Sequence, residues 1–421
     1  MADQTIQPPR ESFNLSMLLY DQRYRGLTIQ VVVLILFLAG FFWLLNNAAT
    51  NLAALGKPIR FDFLDDAAGY SIEPRLIEYE TTDSHGRAAL LGILNTFLVA
   101  FMGCVTATII GVVGGVLRLS KNWLVSRLMT LYVEIFRNVP VLLWILVCMF
   151  TFTATFPQPR EFRGENATAT MNLWESVAVT NRGIYLPEPL FSRPLGDIDV
   201  GVFKISIELL VLLALLVGGI FFARWNRARA DQIQAETGER PVTLWMNLAA
   251  IVIPPVLALI ALGFYLGFPE LTETGIPKFN GGINMNASLI ALWLGLSIYT
   301  GTYIVEAVRS GIEAVSKGQS EAAAALGIRP NRAMSLVVLP QALRVIIPQL
   351  TSQYLNLTKN SSLAIAIGYM DLVATLGGTT INQTGREMEG ILMTMGIYLA
   401  ISLTISFCMN RFENRVKLVE R

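Results

Sequence analysis

Several things are scarce in this 421-residue chain. Cysteine occurs three times and histidine once, and charged residues make up only 15% of the total. Cys104, Cys148 and Cys408 all fall inside apolar runs with nothing to pair them, so no disulfide and no metal site is expected, and each reads as a small packing residue. The single histidine, His85, has no second His or Cys nearby and reads as an exposed loop residue. No G-x-x-x-x-G-K-[ST] phosphate loop is present, so the chain has no means of hydrolysing ATP by itself. H-E-x-x-H and G-x-S-x-G are missing too, which excludes the common membrane-embedded hydrolases and leaves no catalytic residue to name. Nothing suggests nucleic acid as a partner, since the formal net charge is +1.

What the chain has in abundance is apolar length. Hydrophobic residues reach 53% and mean hydropathy is +0.52, outside the range of a soluble globular protein. Segments long enough to cross about 30 Å of hydrocarbon run near 27–45, 88–117, 140–156, 205–223, 244–267, 287–307, 345–376 and 391–409, the seventh interrupted by polar residues. The spacing predicts an all-α polytopic bundle of about eight transmembrane helices. The first is read as retained rather than cleaved, because no small-residue cleavage site follows it. With the N-terminus inside, the cytoplasmic segments hold 20 of the 32 Lys and Arg and the outer ones 11, Lys359 lying within the seventh span, which places both termini and the stretch 309–344 in the cytoplasm. By the same count 224–243 is a solvated cytoplasmic loop, and Pro254-Pro255 should kink or locally unwind the span that follows it.

Between two apolar spans lies the polar, alanine-rich stretch Glu321 to Pro340. Ala322 to Leu326 favours helix, Gly327 can take the left-handed conformation that ends one, and Pro330 suits a new first turn. Two short helices with a corner at Gly327 follow, and Pro340 should stop or bend the second at the membrane boundary. Taken alone, this is also the pattern of an ordinary helix-turn-helix loop.

The identities narrow it. Glu321, Ala322, Ala323 and Gly327, followed by Val337, Leu339 and Pro340, resemble the EAA loop of ABC-importer permeases. Thr302 to Arg309, Gly318-Gln319 and Leu357 to Leu363 are similar to the polar amino acid branch, although Asn360 stands where that branch often has Asp. The length and layout look most like the general L-amino-acid and glutamate-glutamine permeases with extra transmembrane helices. The resemblance implies a type I permease core of five helices, assigned to 88–156 and 287–421. An N-terminal extension (1–87) and an insertion (157–286) are then additions. It further implies two ATPase subunits, which would hold ATP and Mg, a homologous permease forming a heterodimer, and a periplasmic amino-acid-binding protein. This chain would hold no cofactor itself.

Polar residues at membrane depth need partners, because lipid offers none. Asn95 and Thr96 begin one span, and Glu306 should pair with Arg309 or Arg137. Tyr303, Tyr354, Asn356, Lys359, Asn360, Ser361 and Ser362 are candidate substrate-path residues, with interhelical hydrogen bonding as the alternative. Gly111 and Gly115 form a G-x-x-x-G pair suited to close helix packing, and Tyr132 to Pro140 should fix how its span enters the membrane or touch the coupling loop. An ATPase-independent carrier or channel for amino acids is the alternative function, against which stands the lack of an inverted internal repeat.

Overall fold

The computed structural model describes residues 17–56, 58–164, 167–201, 204–272 and 275–416. Both chain ends, with Arg10, Lys417 and Arg421 of the orientation count, lie outside the described residues. Among the described residues are ten helices of nine or more residues: α1 (Gln22–Ala54), α2 (His85–Arg118), α3 (Trp123–Arg137), α4 (Val141–Thr155), α5 (Ile207–Thr237), α6 (Leu244–Ala261), α7 (Ala287–Glu313), α8 (Lys317–Ala325), α9 (Leu339–Asn360) and α10 (Glu387–Val416). Eight helical segments among the described residues are long and apolar enough to cross a membrane, so the chain is a helical membrane bundle. Residues 1–62 form one unit, consisting of α1 and its flanks, and residues 63–421 the other.

The larger unit is organised around α7. Nearly three quarters of its central window, 72%, is buried, against 17% for α5 and 6% for α6. Leu292, Leu296 and Ile304 of α7 meet Val99 and Ala107 of α2, Ile145 of α4, and Ile346 and Leu357 of α9 in one cluster. Lipid tails are as apolar as these side chains, so close van der Waals fit rather than water exclusion drives such contacts. Gly111 and Gly115 supply that fit as their spacing suggested. A Cβ on Gly111 would lie 2.3 Å from Ile304, and one on Gly115 2.6 Å from Val308.

Helix starts follow local chemistry. The Ser84 side chain accepts from the Arg87 amide to open α2, Asn122 caps α3, Ser206 caps α5 and Asn286 caps α7. Several boundaries differ from expectation. Residues 118–139 contain α3, an amphipathic helix whose Val133 is buried while Leu124, Leu128, Leu131 and Ile135 stay exposed. Loop 224–243 is largely helical, because α5 continues to Thr237 and stops only where Gly238 turns left-handed (φ +77°). Pro254 and Pro255 sit inside α6 without unwinding it.

Residues 157–286, the expected insertion, also carry short antiparallel strands that hydropathy did not reveal. Gly183–Leu186 lies between Ala178–Thr180 and Ile283–Asn286, and Glu188–Phe191 pairs with Phe264–Gly267. The two arms of the insertion are thus zipped together, Tyr185 and Phe279 packing at 5.1 Å between ring centroids, and α5 and α6 emerge beyond the zipper. Since the strands precede α7 and the Glu321 stretch follows it, they mark opposite ends of the bundle.

Candidate functional site

The Glu321 stretch folds as its residues suggested. α8 ends where Gly327 takes φ +73°, and the Ile328 amide closes back on the Ala323 carbonyl at 3.0 Å. Ala323 is buried, while Glu321, Ala322 and Gly327 are exposed. Leu326 is 79% exposed, and Leu336 and Leu339 on the far side of the corner are also open. Large aliphatic side chains thus stay uncovered on both sides of the corner. The Gln319 and Gln341 side chains, 3.4 Å apart, tie α8 to the start of α9.

Pro340 neither stops nor interrupts the second helix. The turn beginning at Pro330 passes through a π-helical stretch, Met334–Val338, into α9, with Leu339 and Pro340 in its first turn. A proline ring collides with the carbonyl four residues back in a regular helix, and the wider π turn immediately before it relaxes that constraint.

The substrate-path candidates do not gather at one point. α9 carries them to Asn360, and a 3-10 stretch, Ser361–Ile367, carries the rest. Tyr354 faces α2 and shares a 2.7 Å hydrogen bond with Thr108. Ser361 is fully buried and donates to the Thr358 carbonyl at 2.7 Å, while Ser362 donates to that of Lys359 at 2.7 Å. Asn356 and Lys359 are exposed, and Asn360 is half-buried. Tyr303 sits on α7, its hydroxyl 2.9 Å from that of Tyr299 and its ring 5.2 Å below the Arg137 guanidinium. Two sets result. Tyr303, Tyr354 and Ser361 have partners inside the chain, whereas Asn356 and Lys359 continue an outward face begun by Gln349 and Ser352.

Glu306 pairs with Arg309, as expected, and also with Arg118 at the end of α2; Arg137 stacks on Tyr303 instead. Arg309 reaches on to Glu313 at 2.5 Å. This chain of charges fastens α2 to the end of α7 just before α8 begins. Tyr132 donates to the Ile298 carbonyl at 2.6 Å, and Trp144 to that of Phe136 at 3.2 Å, so Tyr132 to Pro140 orients the start of α4 against α7.

Sequence reasoning missed a buried polar knot. Asp371 is fully buried; its carboxylate accepts from the Ala374 amide at 2.9 Å and from the Tyr398 hydroxyl of α10 at 3.2 Å. Asn95 donates to the Met370 carbonyl at 2.9 Å, and the Thr96 hydroxyl accepts from the Leu372 amide at 3.1 Å. A carboxylate inside the interrupted 345–376 run was the available signal. His85 corrects another expectation: it is 2% exposed, with Nδ1 3.0 Å from the Thr380 hydroxyl, because α2 begins packed against the 373–384 segment rather than in a loop. Nearby, Tyr79 donates to the Tyr70 carbonyl at 2.9 Å, and burial pushes its phenol up to about 12, so it remains a neutral donor at physiological pH. Cys104, Cys148 and Cys408 are free thiols on α2, α4 and α10.

The model for the binding-protein-dependent transport system inner membrane component matches residues 240–418. A solved amino acid ABC transporter with histidines is 17% identical, with a TM-score of 0.43, over 79% of this chain and 95% of that one. Among curated relatives, the general L-amino acid transport system permease protein AapQ of Rhizobium johnstonii is 43% identical, covering 97% of this chain and 96% of its own. The glutamate/glutamine/aspartate/asparagine transport system permease protein BztB of Rhodobacter capsulatus is 53% identical over 98% of this chain and 99% of its own. Likeness of that degree along nearly the whole of both chains leaves no room for a different assignment, and the chain belongs to the inner-membrane permease family of the amino acid ABC importers.

Proposed function

We propose that the chain lines one side of the translocation path of an ATP-driven importer of polar L-amino acids and receives the ATPase stroke through the corner at Gly327. The observation that carries the path is the outward stripe of Gln349, Ser352, Asn356 and Lys359 on α9. Amide, hydroxyl and ammonium groups at membrane depth are not left facing lipid, so this face suits a water-filled passage shared with a second, homologous permease. An amino acid offers a carboxylate for Lys359 and an ammonium for Asn356. The acidic and amide amino acids in the name of the Rhodobacter relative, and the general L-amino acids in that of the Rhizobium one, indicate the class carried.

In this reading a five-helix core of α2, α4, α7, α9 and α10 carries transport, and 1–87 and 157–286 are additions to it. ATP and Mg reside on two ATPase subunits. Glu321, Ala322, Ala323 and Gly327, with Leu339 and Pro340, form the element they grip, and the Arg118–Glu306–Arg309 pairs pass its motion to α2 and α7. ATP binding turns the path toward the periplasm, where a binding protein delivers substrate, and hydrolysis resets it. Both termini lie in the cytoplasm.

The test is uptake by vesicles containing the permease with its native partners, together with recovery of the ATPase. Asn356→Leu and Lys359→Ala change uptake rate or preference among acidic, neutral and basic amino acids while the ATPase remains bound. Gly327→Val, which forces a left-handed backbone costing about 1–2 kcal/mol onto a branched residue, loses the ATPase without losing membrane insertion. Unaltered kinetics in both path variants would place the substrate on the other permease.

A further inference from the structure

On α5, Leu215, Gly218, Phe222, Trp225 and Arg229 follow one another at alternating three- and four-residue steps, which stacks them along one helix face. The first three, with Gly219, Ala250 and Pro254, line an apolar cleft of about 320 Å³ between α5 and α6. Gly219 brings the helices together there, because a Cβ on it would lie 2.5 Å from the Ala250 carbonyl oxygen. Gly218 leaves the space open: a Cβ on it meets nothing within 4 Å. Further along, the Phe222 and Trp225 rings lie 5.8 Å apart between centroids, and the Arg229 guanidinium sits 5.7 Å from the centroid of the Trp225 ring.

Polarity changes in one direction along this face, from aliphatic cleft through aromatic rings to a cation. At 1.5 Å per residue, Leu215 and Arg229 are about 21 Å apart, the depth of one leaflet with its headgroups. Arg229 has no acidic partner among the described residues, whereas Arg240 at the same end is paired with Asp231 at 2.7 Å. We propose that this face is a binding site for one anionic phospholipid. An acyl chain fills the cleft, the glycerol region lies against Phe222 and Trp225, and the phosphodiester meets Arg229. A zwitterionic lipid carries the same phosphodiester, but its own ammonium competes with Arg229 for that charge, and free phosphate would leave the cleft unfilled.

The experiment uses the full chain with the subunits that co-purify, stripped of lipid in detergent and titrated with dioleoyl phosphatidylglycerol or dioleoyl phosphatidylcholine under native mass spectrometry. One phosphatidylglycerol should bind about fivefold more tightly than phosphatidylcholine, the preference expected when one basic residue meets an anionic headgroup. Arg229→Gln removes that preference, Arg240→Gln leaves it intact, and Gly218→Leu, which fills the cleft, weakens both lipids. Retention of the preference in Arg229→Gln would overturn the site, as would unchanged binding in Gly218→Leu. Displacement of the lipid by millimolar inorganic phosphate would show an anion site without a chain site and would also overturn it. So would cross-linking of a cysteine at Gly218 to a copurifying polypeptide in native membranes, by showing that protein rather than lipid occupies the face.

Discussion

The α7-centred bundle and the α5–α6 pair are both helical and apolar, yet they are held together differently. In the bundle, polar groups bridge segments distant in sequence: Asn95 reaches Met370, and Arg118 meets Glu306. In the pair, the buried contacts are those of neighbours along the chain. Asn226 donates to Asn247 at 2.8 Å, and Gly219 lies under Ala250. α7 is bound on several sides, whereas α5 and α6 are each satisfied chiefly by the other. The packing around α7 is made by α2, α4 and α9, with α5 and α6 taking no part in that cluster.

The largest effect that would sharpen this contrast is expected at Gly111. Gly111→Val drives a branched side chain into Ile304 and should cost about 1–3 kcal/mol or more, seen as a lowered melting midpoint in detergent and loss of uptake together. Next comes Asn226→Leu, which strands Asn247 and should cost about 0.6 to 2 kcal/mol of helix association. It should loosen α5–α6, measured by faster proteolysis in the 224–243 region, while uptake persists. Loss of uptake equal to that of Gly111→Val would break the distinction between the two regions. The smallest effect is expected at Lys204, whose exposed side chain meets Glu78 at 2.7 Å. Lys204→Ala should leave the melting midpoint unchanged at physiological salt, and a drop there would mean that this contact between insertion and N-terminal segment supports the fold.

What the sequence made legible was local. The eight spans follow from apolar runs, the corner at Gly327 from Ala-rich helix followed by glycine, and the close approach at Gly111 and Gly115 from spacing alone. What escaped depended on partners far along the chain. His85 looked like a loop residue because the segment that buries it lies near Thr380. Asp371 was hidden inside an interrupted run, and Arg118 became a partner for Glu306 only once α2 lay along α7. The strands of the insertion were missed because each has only two to four residues, too short for alternation to stand out. Among the substrate-path candidates, the polar run on α9 was visible, but its division into inward and outward faces required the phase of the helix.

That phase is set by the π turn at Met334–Val338. A π turn adds about one residue to an α-helical path, and one residue corresponds to about 100° of rotation. The helical rod from Pro330 to Asn360 is about 46 Å long, with the corner at Gly327 just before one end and Asn356 and Lys359 near the other. Five residues next to the corner at Gly327 thus choose which side chains face outward a membrane's thickness away. Deleting one residue within 334–338 would turn the outward stripe by more than a quarter of a circle without altering any side chain that forms it.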